Sequence, residues 1–259
     1  MIIKECYSSA ILKLTHKKGD KFSTPPEFIV WHYTVGNAAS VISTFTQGDL
    51  RSSAHNMIQR NGQVVQFVPY DTKAWHAGPS SWEEKPGCNN YTIGIEMENI
   101  GPLTYGNGEY RDVYGRVYTG GVVEEKIGKY RFWAAYTPEQ LESAELVALA
   151  LLKHIPTIRG MLEHSDVAPG RKIDPGPAFP IERFEAMIEL DRSTDQDNVY
   201  KTTTVLNLRD TPSMTGSIVL QLTPGEEVRP ISSDGLWWQV LVVARGIRGW
   251  VYSKYLTLR

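Results

Sequence analysis

Hydrophobic and polar residues follow two different periods along the first three quarters of the chain. Residues 28–34 are mostly β-branched and aromatic, which predicts a buried strand. Residues 90–99 alternate, with apolar side chains on one face and two glutamates, Glu96 and Glu98, on the other. Strands of this kind, separated by helical segments, predict an α/β domain.

Helix boundaries are marked by capping residues. Thr137 and Gln140 form a capping box ahead of an apolar segment, which predicts a helix that ends before Pro156. Asn37 is a second capping residue and begins a shorter predicted helix. A further helix is predicted over residues 181–190. These elements supply the helical layers of the α/β domain.

Three segments depart from this pattern. Residues 101–136 are rich in glycine and tyrosine, and we interpret them either as a substrate-facing loop or as a surface elaboration. The segment ending at residue 198 is polar throughout and is typical of a linker, and residues 199–259 contain only short strand and turn patterns. We therefore expect a first domain over residues 1–191, a linker over 192–198 and a small all-β barrel over 199–259.

Composition narrows the class of protein without identifying it. The 259 residues, 41% hydrophobic and 22% charged, suffice for one sizeable core and a small second domain. No apolar run is long enough to insert into a membrane, and the first ten residues do not resemble a secretory signal, so we expect synthesis in the cytoplasm without a signal peptide. Two cysteines, far apart, indicate neither a disulfide framework nor a cysteine metal site.

The net charge differs slightly between the two predicted domains. Residues 199–259 contain seven lysines and arginines against four acidic residues. This excess is too small to indicate a nucleic-acid partner. The barrel could bind a ligand, or it could only pack on the first domain or mediate contacts between copies, so the oligomeric state stays open.

The segment over residues 163–177 carries the most chemical information. It places an imidazole, His164, an ammonium, Lys172, and a carboxylate, Asp174, on one short loop that ends between two prolines. Histidine and aspartate are good ligands for zinc, and a lysine beside them could stabilise an oxygen bound there. Since a catalytic zinc usually takes three protein ligands, a third must come from elsewhere.

His32, near the end of the first predicted strand, is the best candidate for that third ligand. Taken alone, it is more often a packed core histidine than a ligand. Glu96, beside a glycine on the second predicted strand, could act as the general base that metal-assisted hydrolysis requires, whereas Glu98 is as readily a solvent-facing residue.

With these residues in this order, the chain resembles a known family, the zinc-dependent N-acetylmuramoyl-L-alanine amidases related to bacteriophage lysozyme-type amidases and peptidoglycan recognition proteins. The resemblance covers roughly residues 25–190. Five motifs in the family's order carry it, namely those at residues 30–34, 53–58, 74–78, 93–96 and 164–177.

The resemblance implies a fold with a central mixed sheet flanked by helices and a role for each matching residue. His32, His164 and Asp174 would hold one zinc ion per chain, Glu96 would be the catalytic carboxylate and Lys172 would stabilise the oxyanion. Three further residues are candidates for contact with substrate, with plain packing as the alternative for each: Trp75, His76 and His55.

The activity implied is hydrolysis of the bond between the lactyl group of N-acetylmuramic acid and L-alanine in peptidoglycan. Non-catalytic peptidoglycan recognition relatives often lack the ligand that Asp174 supplies, so a protein that only binds is the weaker alternative. The strand blocks of residues 199–259 resemble the bacterial SH3-like domains found beside cell-wall hydrolases, which implies a cell-wall-binding domain. The small positive excess of these residues is compatible with anchoring to a wall polymer. An endolysin-like enzyme acting on the bacterial wall, or a cytoplasmic enzyme that recycles muropeptides, would fit this combination.

Overall fold

The computed structural model describes residues 1–193, 199–234 and 236–259. Residue contacts divide the chain into two units, Met1–Phe184 and Glu185–Arg259, which are described separately. The final predicted helix extends further than expected, to Ser193, so it includes the first two residues of the predicted linker. The remaining linker residues, 194–198, lie outside the described residues, and the domain limits at 191 and 199 stay predictions.

The first unit contains seventeen short strands among its described residues. They are β1 (Ile2–Ile3), β2 (Cys6–Tyr7), β3 (Ile11–Leu12), β4 (Lys18–Lys21), β5 (Phe28–Tyr33), β6 (Asn56–Ile58), β7 (Val64–Gln66), β8 (Thr72–Ala74), β9 (Ser81–Trp82), β10 (Lys85–Pro86), β11 (Thr92–Met97), β12 (Pro102–Gly106), β13 (Glu109–Arg111), β14 (Val117–Tyr118), β15 (Val122–Ile127), β16 (Tyr130–Ala134) and β17 (Gly160–Glu163). The helices are α1 (Ala38–Thr46), α2 (Pro138–His154), α3 (His164–Val167) and α4 (Ile181–Ser193), the last of which continues into the second unit.

A six-stranded mixed sheet organises the first unit, in the order β17-β5-β11-β6-β7-β3. Its first four strands run parallel, while β6 and β7 form an antiparallel hairpin. The α/β fold with a central mixed sheet is therefore confirmed. Because parallel strands end at the same edge, the residues that follow β17, β5 and β11 meet there, which is where ligands bind in open α/β sheets.

The strands β5 and β11 are buried along almost their whole length, as their apolar composition predicts. On one face, Phe28 and Val30 pack with apolar residues from β17 and from the segment after β8. On the other face, Trp31 packs against Phe179 and Phe184, with ring centroids 5.1 and 4.8 Å apart. Packing on both faces fixes the ends of these strands, and with them the edge that carries the polar side chains.

The predicted helix starts are confirmed. Thr137 and Gln140 form the capping box of α2, with proline in its first turn, and the amide of Gln140 also donates to the carbonyl of Glu98 at 2.9 Å. At the start of α1, Asn37 accepts a hydrogen bond from the backbone of Ser40. Helix α2 is thus tied directly to the end of β11.

Residues 101–136 are not an irregular loop, although they remain compatible with a surface elaboration of the domain. They build a five-stranded antiparallel sheet in the order β14-β13-β12-β16-β15. Asn107 and Gly108, both with positive φ, make the hairpin turn between β12 and β13. Asn-Gly is the strongest short-range signal of a two-residue hairpin, so this pair is the sequence signal that would have predicted the sheet.

The second unit is all β apart from the end of α4 and one short 3₁₀ helix, over the residues described. Its strands are β18 (Tyr200–Thr202), β19 (Leu206–Arg209), β20 (Ile218–Leu222), β21 (Glu227–Asp234), β22 (Trp237–Val242), β23 (Ile247–Tyr252) and β24 (Leu256–Leu258), in the order β20-β19-β23-β22-β21-β18-β24. A core of leucine and valine side chains lies between them. The prediction of a small all-β fold is confirmed.

Candidate functional site

Three strand ends place the polar side chains of the site next to one another. In the parallel register of β5 with β11, His32 lies opposite Glu96, and in that of β17 with β5, Glu163 lies opposite Trp31. His164, the residue after Glu163, therefore begins α3 beside His32. The sheet thus brings together residues separated by more than a hundred positions in the sequence.

Two imidazoles and one carboxylate converge at this edge. The Nδ1 atoms of His32 and His164 are 2.8 Å apart, and Oδ2 of Asp174 lies 3.3 Å from the first and 2.8 Å from the second. All three residues are buried, with at most 6% of their surface exposed. Among the described residues, these three form a group able to hold a metal ion.

The donor set fits a metal cation. Nε2 of His164 lies 3.2 Å from the carbonyl oxygen of Ala77, which can only accept, so Nε2 carries the hydrogen and Nδ1 presents a lone pair. Burial, with the nearby charge of His164, lowers the pKa of His32 to about 4, so His32 is neutral near pH 7. A cation at the centre would satisfy lone pairs that otherwise face one another.

The carboxylate of Asp174 stays ionised in this setting. Burial opposes its ionisation, but the close contacts with the imidazoles of His164 and His32 outweigh burial and hold the pKa of Asp174 well below its usual range. The site therefore presents one full negative charge together with two imidazole nitrogens, of which that of His32 is neutral near pH 7. That combination suits a divalent cation of borderline softness.

Glu96 lies beside this group and is not one of the three. Its Oε2 is buried and, among the residues described, has no hydrogen-bond partner. Burial raises the pKa of Glu96 to about 8, with the charge of Asp174 acting in the same direction and that of Lys172 opposing it. A half-buried carboxyl group with a raised pKa and an unpaired oxygen is suited to accept and return a proton.

Glu98, the second glutamate of the strand, has a structural role. Its two oxygens accept hydrogen bonds from the backbone N–H groups of Ala38 and Arg60, at 2.7 and 2.9 Å. These bonds join the beginning of α1 and the turn after β6 to the end of β11. Glu98 is therefore neither solvent-facing nor placed at the metal group.

Lys172 enters the site from the loop that also carries Asp174. Its side chain is half-buried, and its positive charge lowers the pKa of both His32 and Glu96. Its backbone N–H donates to the carbonyl of Ala168, which holds the start of the loop against α3. The structure thus groups Lys172 with Glu96 and the three candidate ligands.

The three residues expected to contact substrate have different surroundings. Trp75 is half-buried, and the guanidinium of Arg51 lies 4.0 Å from its ring centroid, so one face of the indole is already covered. The ring nitrogens of His76 face His32 and Thr92 at 2.9 and 3.2 Å. Both nitrogen atoms of His76 are therefore engaged within the protein.

The expectation that His55 contacts substrate is corrected by its position. None of its surface is exposed, its Nδ1 accepts from the backbone of Gly94, and its Nε2 lies 2.9 Å from the carbonyl of Thr72. Burial lowers the pKa of His55 to about 4, so it is a neutral core histidine. It links β11 to β8 and does not reach the site.

The sequence does not single out Thr92, Ala77 and Asn89, which contact His76 or the candidate ligand His164. Oγ1 of Thr92 lies against His76, the carbonyl of Ala77 faces His164, and the side-chain oxygen of Asn89 accepts from the backbone of residues 76 and 77. A backbone carbonyl leaves no sequence signal. Thr92 does, since it shares the strand face of Glu96 with only Gly94 between them.

Comparison with known proteins identifies the class of this α/β protein. The family model described as N-acetylmuramoyl-L-alanine amidase matches residues 22–177, and the chain belongs to that family. The model of the bacterial SH3 domain matches residues 204–257. The expected family and the fold of both parts are therefore confirmed.

Individual relatives cover the first part of the chain. The 1,6-anhydro-N-acetylmuramyl-L-alanine amidase AmpD of Escherichia coli K12 is 36% identical over 140 residues, which are 54% of this chain and 60% of AmpD. The N-acetylmuramoyl-L-alanine amidase AmiD of the same organism is 30% identical over 161 residues, 59% of this chain and 49% of AmiD. The chain thus spans about half to three fifths of the length of these relatives.

Among solved structures, a selenomethionine derivative of AmpD is similar to this chain, with a TM-score of 0.55 and 28% identity. The match covers 72% of this chain and 98% of the AmpD chain. In the described part of the protein, no helix is both long and apolar enough to cross a membrane.

Proposed function

We propose that this protein hydrolyses the amide bond between the lactyl group of N-acetylmuramic acid and L-alanine of the peptidoglycan stem peptide. The observation that carries this proposal is the convergence of His32, His164 and Asp174 beside an unpaired oxygen of Glu96. The family supports the type of bond, and the names of AmpD and AmiD support the class of substrate.

His32, His164 and Asp174 would hold one zinc ion per chain, since two imidazoles and a carboxylate are the ligand set of many hydrolytic zinc centres. When bound, zinc supplies Lewis acidity, which polarises a carbonyl and lowers the pKa of water. The protein's own part is to orient these ligands and to keep Asp174 ionised. Burial of the two histidines limits the motion of their rings, and the pKa of Asp174 lies well below its usual range.

Glu96 would move the proton in this reaction. Its unpaired oxygen accepts a proton from the attacking water and later delivers it to the nitrogen of the leaving L-alanine. A pKa raised by burial makes the carboxylate a stronger base than an exposed glutamate, and makes its acid form available at neutral pH for the second transfer.

Lys172 would balance the negative charge that develops on the carbonyl oxygen. Its charge acts on both Glu96 and His32, which supports a role for its ammonium beside the tetrahedral oxyanion. A preorganised cation in a partly buried site stabilises such an oxyanion far more than one in water would. Trp75, at the surface beside His76, remains a candidate for contact with the sugar or the peptide.

The second unit would attach the enzyme to the bacterial wall. A groove of 570 Å³ on this unit is lined by three aromatic residues, a methionine and an arginine among others, namely Trp237, Tyr252, Tyr255, Met214 and Arg209. Aromatic faces with a cation beside them are suited to bind sugar or peptide chains. Attachment would make the wall the site of action, while soluble muropeptides remain substrates of the first domain.

The experiment that tests the activity uses purified protein loaded with zinc and a defined substrate, N-acetylmuramoyl-L-alanyl-D-isoglutamine. Mass spectrometry should detect free N-acetylmuramic acid and a peptide with a free L-alanine amino group in equal amounts. A parallel assay with the 1,6-anhydro form compares the two sugar ends. Binding of both substrates without any release of peptide would show a protein that recognises peptidoglycan without hydrolysing it.

A further inference from the structure

The imidazole of His76 lies behind His32, on the side away from the candidate metal ligands. Nδ1 of His76 is 2.9 Å from Nε2 of His32, while Nδ1 of His32 faces His164 and Asp174. The two rings stand nearly perpendicular, at 82°, with centroids 5.0 Å apart. One nitrogen of His32 therefore faces the metal position, and the other faces His76.

The direction of the hydrogen bonds follows from Thr92. The hydroxyl of Thr92 donates its single hydrogen to the carbonyl of Cys88 at 2.8 Å. Toward Nε2 of His76, 3.2 Å away, the same oxygen can then only accept. His76 therefore carries its hydrogen on Nε2, and its Nδ1 presents a lone pair.

That lone pair determines the tautomer of His32. Since Nδ1 of His76 can only accept, Nε2 of His32 must donate, and Nδ1 of His32 is left as the bare nitrogen toward the metal position. We propose that His76 is a positioning residue that, together with Thr92, holds His32 in the tautomer and orientation required of a metal ligand. This role rests on the metal centre of the proposed function. It identifies the residues that fix the tautomer and orientation of His32.

The surroundings of His76 fix its ring in this place. A Cβ atom at residue 94 would lie 2.2 Å from Cγ of His76, so only glycine leaves room for the ring against β11. The backbone N–H groups of His76 and Ala77 both donate to the side-chain oxygen of Asn89, at 3.1 and 2.8 Å. The ring therefore has little freedom to turn away from His32.

Two consecutive residues, His76 and Ala77, thus orient the two proposed histidine ligands by different means. His164 is fixed by the backbone carbonyl of Ala77, whereas His32 is fixed by the side chain of His76. Partners behind metal-bound histidines commonly affect metal affinity by tenfold to a hundredfold. Because His76 acts through its side chain, its contribution can be removed by substitution.

Three substitutions test the proposal in the full-length protein. His76→Leu removes both ring nitrogens at similar size, Thr92→Val removes the hydroxyl at equal shape, and His76→Gln keeps an acceptor toward His32 and a donor toward Thr92. Zinc affinity is measured by competition with a chromophoric chelator. The tautomer of His32 is read in the zinc-free protein from two-bond ¹H–¹⁵N couplings of its ring.

We expect His76→Leu to weaken zinc binding by about tenfold to a hundredfold, with Thr92→Val in the same direction and His76→Gln close to the parent. The ring of His32 should change from a single Nε2–H tautomer to a mixture in His76→Leu. If His76→Leu does not fold, as judged by its circular dichroism, Thr92→Val and His76→Gln decide the result.

Unchanged zinc affinity and an unchanged His32 tautomer in folded His76→Leu or Thr92→Val would overturn the proposal. So would a parent protein in which His32 carries its hydrogen on Nδ1. Failure of the proposed function has a different signature, because the parent would then bind zinc without releasing L-alanyl peptide. The tautomer measurement is independent of that assay.

Discussion

Glu96 lies directly opposite His32 in the parallel pairing of β11 with β5, so both side chains project from the same face at the same edge of the sheet. This register places the candidate base beside the candidate ligands without any loop having to close over them. The same strand pairing brings the unpaired oxygen of Glu96 to the edge at which Nδ1 of His32 faces the other two candidate ligands.

Replacing Asp174 with alanine should abolish most zinc binding and nearly all hydrolysis. The change leaves two neutral ligands and removes the charge that balances the cation, so affinity should fall by at least about a hundredfold. Chelator competition and the peptide-release assay measure the two effects. Asp71→Ala is the matched control, because that aspartate pairs with Lys21 at the surface. Stoichiometric zinc with normal turnover in Asp174→Ala would exclude this ligand set.

Replacing Glu96 with glutamine should lower kcat by about a hundredfold or more while zinc stays bound, because the amide keeps the shape and cannot accept the proton. Glu98→Gln is the matched control on the same strand. Its carboxylate accepts from two backbone groups, so that variant should lose about 1–2 kcal/mol of stability and keep its kcat. Parental turnover in Glu96→Gln would place the base elsewhere.

The raised pKa of Glu96 also predicts how stability depends on pH. In the zinc-free protein the folded-state pKa is about 8, above the 4.5 of an ordinary glutamate. Between pH 4.5 and about pH 8, Glu96 holds a proton in the folded state and releases it in the unfolded chain. The contribution of Glu96 to the free energy of unfolding therefore falls as pH rises, and it is lowest above about pH 8. Glutamine at this position cannot ionise, so it removes this loss of stability at high pH.

Glu96→Gln should therefore stabilise the zinc-free protein at pH 9, by about 3 to 5 kcal/mol, and change its stability little at pH 4. Urea unfolding in the presence of a chelator at the two pH values measures the difference. An equal effect at both pH values would mean that Glu96 ionises normally in the folded state.

Gly176, which follows the loop of Asp174, should tolerate no side chain. A Cβ atom there would approach the ring of Trp133 to 2.8 Å, and the residue has φ +73°. Gly170→Ala is a close control, since Gly170 has φ +74° and nothing within 4 Å of an added Cβ. Both variants carry the strain of positive φ, of about 1 kcal/mol, but only Gly176→Ala meets Trp133.

Gly176→Ala should therefore lower both the melting temperature and the zinc affinity more than Gly170→Ala does. The reason is that Trp133 and Tyr136, whose hydroxyl donates to the carbonyl of Pro175, pack against the segment that positions Asp174. Equal effects of the two substitutions would show that the sheet of residues 102–134 does not support this loop.

The groove on the second unit should be needed for attachment to insoluble peptidoglycan and dispensable for soluble substrate. Trp237→Ala together with Tyr255→Ala should reduce co-sedimentation with sacculi and leave the rate on N-acetylmuramoyl-L-alanyl-D-isoglutamine unchanged, because tethering raises local concentration without altering the chemistry. Ile218→Ser, an exposed apolar residue of this unit outside the groove lining, is the control. Undiminished pelleting of the double variant would exclude the groove as the attachment site.

The chain by itself determined the types of element and the chemistry available to them. Apolar runs ending in His32 and Glu96, and a capping box at Thr137, are local patterns, and local patterns depend only on neighbouring residues. The resemblance then indicated which of these residues belong to one site. The Asn107–Gly108 pair is also a local signal, and it indicates a hairpin turn that our interpretation of residues 101–136 does not include.

Tertiary structure alone decided the partners of each side chain. His32, His55 and His76 are alike in sequence, since each lies next to apolar or small residues. In the structure, however, His32 faces the other candidate ligands, His55 is buried in the core and His76 contacts the opposite nitrogen of His32. Likewise Glu96 and Glu98 share a strand face, but only Glu98 is engaged by backbone donors from distant segments. Strand register and long-range contacts fix these differences, and neither is encoded within a short stretch of sequence.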